Sequence, residues 1–120
     1  MFLLQMGVST KNITREMLRN AGAEHSREIR NLIIDSNVKY IHEEIIRQAK
    51  EGSTTLNITL ALLMAKTLMN PVLYSFFNHN KKNTTIIEKY MDDIIMKLKE
   101  TFIDITFEYT KQTELRIDWL

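Results

Sequence analysis

Two runs near the end of the chain alternate strictly between apolar and polar residues. Ile103, Ile105, Phe107 and Tyr109 alternate with Asp104, Thr106 and Glu108, and Leu115, Ile117 and Trp119 alternate with Glu114, Arg116 and Asp118. A period of two sends successive side chains to opposite faces of a strand. The polar residues between the runs, Thr110 to Thr113, suit a short hairpin loop, although no Asn-Gly or Asp-Gly pair fixes the turn type. The folded hairpin has one charged face and one greasy face. Each greasy side chain contributes roughly 1.5–3 kcal/mol when buried, and a lone hairpin is marginal in water, so another element must cover that face. A third alternation sets Leu56, Ile58 and Leu60 against Thr55, Asn57 and Thr59 and predicts a strand over 54–60. The competing reading there is a helix that starts at Ser53 and runs on.

Elsewhere the spacing is helical. Ile29, Ile33, Ile34, Val38, Ile41, Ile45 and Ala49 recur at threes and fours, predicting an amphipathic helix from Ser26, as N-cap, to Glu51. Gly52 stands where a left-handed C-cap is expected, and Asp35-Ser36-Asn37 is a candidate break because of its poor helix propensity. Ahead of it, Thr14 to Asn20 predicts a short helix stopped at Ala21-Gly22, preceded by an apolar arm, Met1 to Val8. Leu60 to Met69 is a strong helix former that Asn70-Pro71 ends, with Pro71 starting a second turn through Phe77. Residues 78–83 read as a polar loop. Thr85 and Glu88 have the form of a capping box for a helix over Ile86 to Thr101, whose stripe of Ile87, Tyr90, Met91, Ile94, Ile95 and Leu98 is the natural cover for the hairpin. The expected fold is α+β: a two-layer domain over 26–120, with long amphipathic helices on a small antiparallel sheet, and an N-terminal arm with a short helix over 1–25.

Composition adds bounds. The chain has 120 residues, enough for a core without staples, and no cysteine, which removes disulfides and thiolate metal sites. A net charge of +1 argues for neither nucleic acid nor membrane as a partner of the whole chain. The charge is uneven, however: residues 53–84 hold Lys66, Lys81 and Lys82 and no acid, while residues 85–120 hold five bases against eight acids. Three Asn-x-Thr matches begin at Asn12, Asn57 and Asn83, but no signal-peptide pattern precedes them, so they read as chance. The apolar stretch over 56–77 is interrupted by Lys66, Asn70 and Pro71 and reads as core and interface helix, not as a membrane span.

Candidate chemistry is thin. His25, His42 and His79 share no helix face at metal-ligand spacing, and His42-Glu43-Glu44 lacks the second histidine of a zinc helix. Asp92 and Asp93 are successive helix positions that point about 100° apart. The three glycines are scattered and make no phosphate cradle. The expectation is a non-enzymatic protein without cofactor or bound metal.

The strongest functional signal is surplus apolar surface. Over 60–77 the apolar side chains run all round the helical stretch, and a two-layer fold covers only one side. The surplus predicts a protein–protein contact patch, with Leu63, Met64, Leu68, Met69, Leu73, Phe76 and Phe77 as its residues; the alternative cover is the arm at Met1 to Val8. The order of elements also carries a resemblance. A long amphipathic helix ending Ala49-Lys50-Glu51-Gly52, a Thr-rich strand, then a capped helix running into a hairpin that ends Ile117-Asp118-Trp119 resembles small α+β proteins encoded by large double-stranded DNA viruses. The likeness covers 27–60 and 85–120; the apolar insertion over 61–84 departs from it. The resemblance implies a structural assembly protein, such as a minor capsid or cement protein, in the virion or host cytoplasm, binding itself or a larger shell protein. The alternative is a small nucleic-acid-binding or regulatory module using Arg15, Arg19, Arg27 and Arg30.

Overall fold

The computed structural model describes residues 13–77, 85–110 and 113–120; the apolar arm at 1–8 and the polar loop at 78–83 lie outside them. Helix α1 spans Arg15–Lys50, followed by strand β1 Thr55–Thr59, helices α2 Leu60–Thr67, α3 Pro71–Phe76, α4 Thr85–Lys89 and α5 Met91–Thr101, and strands β2 Thr106–Thr110 and β3 Glu114–Asp118. The chain divides into two units between Asn31 and Leu32, inside α1.

The helical start differs from expectation. α1 begins at Arg15 with the Thr14 hydroxyl accepting from the Met17 amide at 3.2 Å, the bond an N-cap residue makes. Gly22 and Ser26 therefore lie inside the helix, as neither stop nor cap. The candidate break at Asp35-Ser36-Asn37 is helical as well, because Asn37 finds partners. Its side-chain amide donates to the Ile33 carbonyl at 2.8 Å and to the Thr67 hydroxyl of α2 at 3.0 Å. The other end of α1 is as expected: Gly52 has φ +92°, and the amides of Gly52 and Ser53 donate back to the carbonyls of Ala49 and Gln48.

The second unit, Leu32–Leu120, is the α+β layer. Its sheet is antiparallel with the order β1-β3-β2. The register lines Leu56, Ile117 and Phe107 in one row and Ile58, Leu115 and Tyr109 in the next. The central strand is sealed: Leu115 and Ile117 are fully buried, as is Ile58 of β1. Phe107 and Tyr109 on β2 are only half-buried. β2 also starts later than the alternation suggested, because Asp104 adopts φ 61°. That left-handed conformation is costly for a residue with a Cβ and interrupts an extended strand; Ile103 is left exposed. Trp119 stands past β3 and is half-buried rather than a core residue, and its amide donates to the Thr54 carbonyl at 2.9 Å.

The helices of this unit bury one stripe each. In α1 the stripe is Ile33, Asn37, Ile41 and Ile45, at steps of four, with Ile34 beside it. In α2 it is Leu60, Leu63, Met64 and Thr67, and in α5 it is Met91, Ile94 and Leu98. The expected helix over 86–101 is divided at Tyr90, which has φ −105° and ψ 10°, so Ile87 is buried from α4 instead. The Asp35 carboxylate on α1 meets the Lys97 ammonium on α5 at 3.1 Å.

Candidate functional site

The apolar insertion folds as two short helices with a sharp corner between them, and local chemistry sets that corner. Thr59 caps α2, its hydroxyl accepting from the Leu62 amide at 3.2 Å. Asn70 caps α3, its side-chain oxygen accepting from the amides of Val72 and Leu73 at 2.9 and 3.2 Å, with Pro71 in the first turn, where no amide hydrogen is needed. Breaking one helix into two lets the segment present different residues to the core. α2 buries Leu63 and Met64, α3 buries Leu73, and Phe77 is buried just beyond α3.

Those four residues correct the expected contact patch. Leu63, Met64, Leu73 and Phe77 are core, because the corner turns them inward, and Leu68 is half-buried. Of the expected residues, Met69 and Phe76 are on the surface, 72% and 53% exposed. Leu62, Val72 and Tyr74 join them as exposed large apolar side chains of the same segment. Phe76 is braced from within: its ring meets that of buried Phe77 edge-on at 4.8 Å. Lys66, the one charge on α2, lies over the ring of Tyr40 at 5.3 Å. The exposed positions of the segment are thus largely apolar and aromatic, with a basic spot at Lys66.

A second surface lies on the open face of the sheet. Asn57, Arg116 and Glu108 occupy one register row across β1, β3 and β2. With Glu114, Asp118 and neighbouring threonines they line a shallow hollow of about 610 Å³. Arg116 approaches Asp118 at 3.7 Å and stands opposite Glu108 in the strand register. Among the described residues that line the hollow there is no histidine. The hollow is a solvated polar face.

The titrating groups elsewhere have structural explanations. His42 packs its ring against Phe102 at 5.1 Å, as a core-flanking aromatic, His25 is exposed on α1, and His79 lies outside the described residues. Glu44 is held below the usual carboxylate range mainly by its hydrogen bond to Arg47, whose guanidinium reaches it at 2.6 Å. Burial raises the Tyr109 phenol, with Glu88 adding to it, and the Tyr109 hydroxyl is buried without a hydrogen-bond partner among the described residues. Among the described residues no group of three or more His, Asp or Glu is placed to hold a metal ion, and no helix is long and apolar enough to cross a membrane.

The chain matches no family model, no curated protein and no solved structure.

Proposed function

We propose that this chain is a structural assembly protein that binds another protein through the outer side of α2 and α3. The observation that carries the reading is the exposure of Met69, Val72 and Phe76 together with Leu62 and Tyr74 on one segment of 15 residues. Single exposed apolar residues are ordinary, but a concentration of them on one element favours a contact surface. Aromatic and methionine side chains suit the role, since both give large contact areas and methionine adapts its shape. The proposed partner is a second copy of the chain or a larger shell protein. The proposed setting, a virus particle, rests on the likeness of element order alone.

The test is a mass measurement by light scattering on the purified chain, repeated on material from its native source. The wild type is expected to run above its monomer mass of 14.2 kDa, alone or with its partner. Val72→Glu with Phe76→Glu should return it to monomer with its unfolding transition preserved, since neither side chain belongs to the core. A wild type that stays monomeric at high concentration and has no partner in its source would sink the reading.

A further inference from the structure

Over Arg15–Asn31 the helix α1 sorts its arginines to one side. At about 100° per residue, Arg15, Arg19, Arg27 and Arg30 of α1 fall within a sector of about 120°, which also holds Ala23, Ser26 and a single acid, Glu16. Glu24 and Glu28 lie about 120° and 160° from the middle of that sector. All four arginines are exposed. They span about 22 Å along the helix axis, at about 1.5 Å per residue. The face therefore carries a local charge of +3 in a chain whose net charge is only +1.

We propose that this arginine face binds the phosphodiester backbone of nucleic acid without reading its sequence. The guanidinium is a planar fork that pairs two N–H groups with two phosphate oxygens, and it stays charged at every accessible pH. About 22 Å of duplex presents about thirteen phosphates, one per 1.7 Å of axis counted over both strands, and those on the side facing the helix are the ones the flexible arginine side chains can reach. Ser26, inside the stripe, adds a neutral donor. A lipid surface fits less well. A helix lying in a membrane interface needs a continuous apolar side, and the side away from the arginines sets Glu24, His25 and Glu28 among Met17, Leu18 and Ala21. No residue of this face belongs to α2 or α3, so the proposal stands or falls independently of the assembly surface.

The experiment is fluorescence anisotropy of the full chain with a labelled random-sequence duplex and a labelled single strand of equal length, across a salt titration. With three to four arginines engaged, the logarithm of the binding constant for duplex should fall against log salt with a slope of about −3 to −4. The variant Arg15→Gln/Arg19→Gln/Arg27→Gln keeps good helix formers and should bind at least about tenfold more weakly, with a slope reduced by about 2–3. Circular dichroism confirms that its helix content is kept. Lys39→Gln/Lys50→Gln/Lys99→Gln removes the same charge from other exposed positions and should change affinity less than about twofold. The proposal is overturned if wild-type binding is absent or insensitive to salt, or if the two variants lose affinity equally. It is also overturned if phosphatidylcholine vesicles with about one phosphatidylserine in three bind more tightly than either nucleic acid.

Discussion

The two stretches of α1 on either side of Asn31 are both helical, yet different physics keeps each of them so. From Leu32 onward the helix buries Ile33, Ile34, Asn37, Ile41 and Ile45, and burial of that stripe holds the backbone regardless of the propensity of Asp35-Ser36-Asn37. From Arg15 to Asn31 only Ile29 is buried, Met17 and Ala21 are half-buried, and every other side chain is exposed. There the helix depends on its Thr14 cap, on intrinsic propensity and on continuity with the packed stretch that follows, with little burial to hold it. The comparison separates a helix that is a consequence of the core from one that is a local equilibrium, open to bias by whatever it binds.

The largest effect that tests this contrast is a pair of truncations. Ile41 has no exposed surface, so Ile41→Ala should cost about 2–5 kcal/mol in equilibrium unfolding. Leu18→Ala, at a residue 58% exposed, should cost less than about 0.5 kcal/mol. Equal losses would show that the first stretch is as much a part of the cooperative core as the second.

A smaller effect is expected at Gly22, whose missing Cβ would meet nothing within 4 Å. Gly22→Ala should stabilise the local helix by about 0.5–1 kcal/mol. Amide exchange over 15–31 should slow several-fold while the global unfolding midpoint hardly moves. A midpoint shift of the full amount would join the two stretches into one folding unit.

The smallest effect concerns acid. The Glu44 carboxyl is held low chiefly by the Arg47 hydrogen bond. A group whose pKa is depressed by folding lends stability above its ordinary pKa and loses it as pH falls through the folded value. The contribution should therefore be complete at neutral pH and fade only below the usual glutamate range. Because Arg47 is mostly exposed, the effect should be slight. Glu44→Gln should flatten that part of the acid limb in a urea-unfolding series and leave the neutral plateau almost unchanged; an unaltered acid limb would show that the pair adds nothing.

What the sequence revealed follows the range of the forces involved. Period-two alternation located β1 and the paired strands, because Leu56, Ile58, Leu115 and Ile117 face one way by backbone geometry alone. Asn70-Pro71 marked the corner between α2 and α3 through a cap and a missing amide, both local. Asn37 misled because its partner, Thr67, is thirty residues away, and propensity is blind to such a bond. The exposed set over 60–77 differs from expectation for a related reason. Composition showed more apolar side chains than one face can hide, but the corner at Met69–Asn70 decided that Leu63, Met64, Leu73 and Phe77 turn inward while Val72 and Phe76 turn out. The arginine stripe follows from helical spacing only when Gly22 and Ser26 lie inside one continuous helix, since a boundary at either divides it.

The placement of β3 between β1 and β2 has a consequence for how the chain is made. A ribosome releases β1 first and β2 second, and neither has a neighbour to pair with until Glu114–Asp118 follows. The register joins Thr55 to Asp118, so the sheet closes only across a long stretch of intervening polypeptide, the kind of non-local pairing that slows folding. Until then the greasy sides of both earlier strands are open to other chains. During synthesis the nascent protein is thus at its stickiest just before its sheet becomes complete.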